Sequence, residues 1–130
     1  MLKLHFALIL SLFLFACVSK PKQQLLGSWQ FIEIGEDFKD TKFCTFESVG
    51  GFTCTIHEIG FSGGLGEAVT YKMTGSWLLD GDSLKLSFSR SYSPEKKEKS
   101  VYLVVQSKRS LMTLKSSNGN LEEWHREGGL

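Results

Sequence analysis

From residue 25 onward, several stretches of the chain alternate apolar and polar residues with a period of two. The clearest runs are Met73, Trp77 and Leu79 with Gly75 in step, Leu84-Leu86-Phe88, and Val101-Leu103-Val105. No stretch carries an apolar period of 3.6 residues. Period two marks a strand with one buried face, because successive side chains point to opposite sides. Candidate strands therefore cover residues 25–34, 41–47, 52–59, 68–79 (with a bend at Gly75), 83–90, 99–107, 111–115 and 121–126. Turn signals separate them: Gly35-Glu36-Asp37, Gly50-Gly51, residues 60–66, Asp80-Gly81-Asp82, Ser93-Pro94 and Asn118-Gly119-Asn120. Asp-Gly and Asn-Gly accept positive φ and so favour hairpins. Eight short strands joined mainly by tight turns predict an all-β domain, a barrel or a sandwich. A small eight-stranded antiparallel up-and-down barrel is expected, because closure removes exposed edges.

Such a barrel is just wide enough for side chains to fill it, or to hold one small ligand. The inward-facing candidates are Phe31, Phe46, Phe52, Ile56, Tyr71, Met73, Trp77, Leu84, Leu86, Phe88, Leu103 and Val105. Of these, Phe31, Phe46, Ile56, Tyr71, Met73, Trp77, Leu86, Phe88 and Leu103 are the candidate ligand lining. The same aromatic and methionine side chains serve either to fill the interior or to wall an apolar site.

The start of the chain departs from this pattern. Lys3 and His5 precede an apolar run from Phe6 to Phe15, broken only by Ser11. These are the charged and apolar regions of a secretory signal. The run is shorter than the roughly 20 residues a membrane-spanning helix needs, and a core helix would find nothing to pack against in an all-β remainder. The run ends in Leu14-Phe15-Ala16-Cys17, which resembles the lipobox of bacterial lipoproteins, although Phe15 stands where a small residue is usual. The resemblance implies that the signal, residues 1–16, is removed and that the Cys17 thiol carries diacylglycerol. A tether (residues 17–24) and a domain (residues 25–130) would follow. Each buried CH₂ of such an anchor contributes about 0.8 kcal/mol, so the chain is expected to be membrane-anchored, not membrane-spanning. Ordinary cleavage nearby would instead leave Cys17 a free thiol. Val18 is not the Asp that resembles an inner-membrane retention signal. The expected location is the cell envelope, at the outer membrane in a two-membrane bacterium.

Charge and cysteines then narrow the partners. The chain has 15 basic and 14 acidic residues. Losing Lys3 with the signal balances them, which leaves no basic excess for phosphate and argues against nucleic acid. With Cys17 committed to lipid, Cys44 and Cys54 form an even pair in an oxidising compartment. A turn centred on Val49 places them opposite each other, within reach of a disulfide. That bridge would contribute roughly 3 kcal/mol on the chain-entropy model. Two cysteines without a second pair or a histidine cluster fall short of a zinc shell, so no metal is expected.

Gly27-Ser28-Trp29 in the first strand is similar to the Gly-x-Trp signature of lipocalins and bacterial lipocalin-like domains, and Trp124-His125-Arg126 ends the last strand as its partner does there. The resemblance implies a lipocalin-like barrel in which Arg126 lies across Trp29 and closes one end, with Gly27 beside them. It also implies a small hydrophobic ligand.

Catalytic signatures are missing from the sequence: no Gly-x-Ser-x-Gly, no phosphate-binding glycine loop, no His-Glu-x-x-His. His57 and Glu58 are neighbours on a strand and face opposite ways; His125 is expected on the outer face. Neither enzyme activity nor a cofactor is expected. The glycine-rich stretch 61–66 is either a flexible loop or a lid using Phe61 and Leu65, and residues 94–99 read as a solvated hairpin tip. The main expectation is a monomeric, anchored lipoprotein binding a small hydrophobic ligand. The alternative is an envelope protein-interaction module. Lipoproteins that inhibit lysozyme are similar in size and export, and Ser62-Gly63 with Tyr71-Lys72 loosely matches their loop.

Overall fold

A computed structural model describes residues 24–60 and 67–128. The expected signal, Cys17, most of the expected tether and the glycine-rich stretch with Phe61 and Leu65 lie outside the described residues. Eight strands follow one another: β1 (Gly27–Ile34), β2 (Phe38–Phe46), β3 (Gly51–Gly60), β4 (Glu67–Asp80), β5 (Ser83–Arg90), β6 (Ser93–Ser107), β7 (Leu111–Lys115) and β8 (Leu121–Arg126). Each pairs antiparallel with its sequence neighbours, and β8 returns to β1, closing an up-and-down barrel. The fold class expected from the alternation is therefore the fold found.

The buried set is almost wholly apolar: Leu25, Trp29, Phe31, Phe46, Phe52, Ile56, Trp77, Leu84, Phe88, Met112, Leu114 and Trp124, together with Cys44 and Cys54. Its aromatics interlock. Phe46 stacks on Phe52 and meets Trp77 edge-on, Phe52 meets Phe88 edge-on, and Phe31 stacks on Trp124. Such contacts add about 0.5–1.5 kcal/mol per pair beyond area burial. Gly75 keeps unbroken register with both neighbouring strands. It lets β4 and β5 approach closely, because a Cβ there would lie 1.9 Å from the Ser87 carbonyl oxygen.

Two expectations are corrected. Leu103 and Val105 are half exposed on the outer face, so Leu103 is not ligand-lining; Tyr102 and Val104 pack on the core instead. The phase is set by β5, where inward-facing Leu84 pairs with Tyr102 and Lys85 with Val101. Residues 101–105 (VYLVV) are apolar in both phases, so hydrophobicity alone did not distinguish them. Lys97 and Lys99, which share the phase of Leu103, carry the signal that did. Second, residues 94–99 are not a hairpin tip. The turn is at Ser91-Tyr92, and β6 begins at Ser93 opposite Arg90. Pro94 lies in a register shift of the β5–β6 ladder, between the Arg90↔Ser93 and Phe88↔Glu98 pairs, where proline is tolerated, and Glu98 turns inward to meet Arg90.

Candidate functional site

The two ends of the barrel differ in chemistry. At the closed end, Trp29 is fully buried and its indole Nε1 donates to the Leu25 carbonyl at 2.9 Å. The Arg126 guanidinium lies over the Trp29 ring, 4.3 Å from its centroid. It also donates to three carbonyls: Arg109 through Nε (2.6 Å), Leu26 through Nη1 (2.6 Å) and Gln24 through Nη2 (2.8 Å). One side chain thus caps the ring and ties down both the incoming chain and the β6–β7 turn. Gly27 has φ +103°, and a Cβ there would sit 2.7 Å from Arg126 Nη1, so conformation and space both call for glycine. These residues hold the fold together.

Above that plug lies the disulfide. Cys44 and Cys54 face each other across β2 and β3 and are bonded, with Cα atoms 4.1 Å apart. This spacing belongs to the closely approaching, non-hydrogen-bonded kind of antiparallel pair. The candidate lining residues Phe46, Ile56, Met73 and Leu86 surround it. Together with Lys42, Tyr102, Leu114 and Trp124 they leave a cavity of about 40 Å³. That is room for about one water, against the 300–1,000 Å³ of ordinary ligand pockets. Phe31, Phe46, Ile56, Trp77 and Phe88 are buried as core, and Tyr71, Met73 and Leu86 pack against them partly buried.

Towards the open end the inward positions turn polar, and the two sides of the barrel treat their charges differently. Across β3 to β6 the polar groups are paired. Tyr71 donates to Glu58 Oε1 (2.7 Å), Arg90 donates to the Tyr71 hydroxyl (3.1 Å), and Arg90 Nε meets Glu98 at 2.8 Å. Burial, followed by the Glu58 hydrogen bond and charge, pushes the Tyr71 phenol up to about 12. Tyr102 is likewise raised to about 12, by burial and then by Glu122. Across β8, β1 and β2 stand Glu122, Glu33 and Asp40. Among the described residues these three make no ion pair. Lys42, the cation on this side, lies over the Phe31 ring. The Asp40 carboxyl is raised above its ordinary value by burial and by Glu58 and Glu33. Glu122 is raised mainly by burial, with Lys42 and the Trp124 indole partly opposing.

These raised carboxyls predict a pH dependence. A carboxyl whose folded-state pKa exceeds its unfolded value holds its proton more tightly when folded. That stabilisation is complete below the ordinary carboxylate range and is lost as pH rises through the raised values. Acidifying from neutrality into the ordinary carboxylate range, about pH 4, is therefore expected to raise the melting temperature through Asp40 and Glu122. Glu122→Gln should raise it at neutral pH and flatten the dependence. Thermal melts of both proteins across that range provide the check; an unchanged slope in the variant contradicts the assignment.

The unpaired side borders an opening in the barrel wall. β1 pairs with β2 along all of Gly27–Ile34, but with β8 only at Trp29↔Arg126 and Gln30↔His125. Beyond Gln30 the two strands part. The open cleft between them measures about 960 Å³ and is lined by Phe31 to Ile34 on one side and Leu121 to Glu123 on the other. His125 faces outward as expected, and so does His57, whose Nδ1 is hydrogen-bonded to Thr70 at 2.6 Å. The sequence reasoning missed this cleft. The apolar alternation breaks in both segments, Phe31-Ile32-Glu33-Ile34 and Leu121-Glu122-Glu123-Trp124, where glutamate takes inward positions, but such a break reads equally well as an ordinary strand end. No protein-family model matches the chain, and no curated protein does.

Proposed function

We propose that the protein is a lipocalin-like lipoprotein, anchored through Cys17 in the cell envelope, that works by contact with a protein partner at its open end. The observation that carries this is the contrast between a core closed to about 40 Å³ and a cleft of about 960 Å³ open through the wall. A wholly apolar ligand such as an acyl chain would have to displace core aromatics, whereas a partner segment reaches the cleft directly. The stack of Arg126 on Trp29 supports the lipocalin-like assignment, and the Cys44–Cys54 bridge accords with export. The one hydroxyl–imidazole contact among the described residues, His57 with Thr70, lies on the exposed outer face of the wall and in no cleft, so binding without catalysis is the reading we favour.

Mass spectrometry tests this directly. The full precursor is expressed, and the mature protein is extracted gently and weighed under denaturing and native conditions. The denaturing mass is expected to show acylation at Cys17 and the disulfide. The native mass is expected to carry no additional small molecule. A reproducible small-molecule adduct would overturn the contact reading and restore the hydrophobic-ligand expectation.

A further inference from the structure

The parted strands leave two open edges facing one another, and backbone alternation identifies the exposed groups. The Glu127 N–H donates to the Ser28 carbonyl, and the Arg126 N–H to the Ser110 carbonyl. Within a strand each residue turns its N–H and C=O to the same side, and the next residue turns the other way. On β1, Gln30, Ile32 and Ile34 therefore present their backbone towards β8. On β8, Leu121, Glu123 and His125 present theirs towards β1. Gln30 and His125 find each other, but Ile32, Ile34, Leu121 and Glu123 have no partner across the seam.

The guards these edges carry are carboxylates, Glu33 and Glu122 pointing inward and Glu123 outward. Neither edge carries a lysine or a proline, and Ile32, Ile34 and Leu121 stand 46%, 73% and 63% exposed. Edges guarded by carboxylates alone remain open to a strand that brings cations. The side chains around the seam then specify what pairs. On the barrel side are Glu33 and Glu122, with Asp40 beside Glu33 in the ladder. On the outer side are Ile32, Ile34 and Leu121, with Glu123 next in phase.

We propose that this cleft takes an extended segment of a protein partner as an added strand, with lysine or arginine at alternate positions facing inward and apolar residues between them facing out. This rests on the contact reading above and names the partner's chemistry. Main-chain hydrogen bonds to Ile32 and Ile34 supply the docking, as in other strand additions. Inward cations meet Glu33 and Glu122, whose nearby cation, Lys42, is turned onto Phe31. The outward apolar side chains cover the isoleucines.

The test uses the full lipidated chain in neutral detergent and three labelled hexapeptides, with binding read by fluorescence anisotropy. The first alternates lysine and valine, the second has the same composition in two blocks, and the third is the alternating peptide with alternate amides N-methylated. The alternating peptide is expected to bind, and each control to bind at least about tenfold more weakly, since each loses hydrogen bonds or register. Ile32→Pro removes an N–H that faces the seam and not β2. It is expected to weaken the alternating peptide similarly while the melting curve is retained. If that variant fails to fold, the peptide series decides alone. Equal binding of the block or N-methylated peptide would overturn strand addition in favour of charge attraction. No binding of any peptide would overturn it too, and with native masses free of adduct the contact reading would survive that result. A reproducible adduct, in contrast, removes the contact reading whatever the peptides do.

Discussion

Trp29→Ala is expected to destabilise the domain by about 3–5 kcal/mol, the range for emptying a buried aromatic site. Trp29 is fully buried and donates its indole proton to the Leu25 carbonyl. Removing the ring also takes away the surface on which Arg126 lies, a contact worth about 0.5–2 kcal/mol depending on desolvation. The guanidinium would keep its carbonyl partners, so the loss should fall short of complete unfolding in a domain of ordinary stability, about 5–15 kcal/mol. Chemical denaturation followed by far-ultraviolet circular dichroism measures it. Trp29→Phe should retain part of the stability, because an aromatic ring still faces Arg126. An unchanged midpoint for the alanine variant would show that the plug is dispensable.

The second large effect concerns the covalent link. Replacing Cys44 and Cys54 together with alanine is expected to cost about 2–4 kcal/mol, most of it through a less restricted unfolded chain. The pair encloses a short hairpin, with a sequence separation of 10. The bridge sits among side chains that leave only about 40 Å³ between them, so the alanines should leave small voids and add to the loss. Urea denaturation of the variant, set beside the parent with and without reductant, separates the two contributions. Reductant alone should reproduce most of the shift. A variant as stable as the oxidised parent would mean that strand pairing already provides the restriction.

Much of this structure was legible in the sequence where local chemistry is unambiguous. The Cys44–Cys54 pairing follows from counting outward from a glycine turn, because register in a hairpin is a local property. Leu84-Leu86-Phe88 alternates with charged or small residues, so only one phase buries it well. The position of Trp29 under Arg126 came through resemblance, since nothing local joins residues so far apart. The failures have equally definite causes. Tyr102 and Val104 were exchanged for Leu103 and Val105 because that segment is apolar on both faces. The start of β6 was misplaced because Pro94 and a run of mixed charges suggest a turn, whereas Arg90 draws Glu98 inward across the hairpin. The cleft was invisible because the divergence of β1 from β8 depends on how the whole sheet curls, and no short window records it.

The way the barrel closes also governs the order in which it can be assembled. Every ladder except one joins strands adjacent in the chain, so β1 through β8 can zip as a series of local hairpins. The exception brings Arg126 to the Leu26 carbonyl across a sequence separation of 100. Closing so long a loop carries an entropic cost that must be met before those contacts form, which makes it a late event. A chain delivered amino-terminus first therefore presents β1 early, with one edge bare, and must wait for β8 before that edge is covered. Even then only half of it is. The short closing ladder is thus the weakest link in the barrel and the natural place for the wall to open first, at the same seam where β1 already stands ready for another strand.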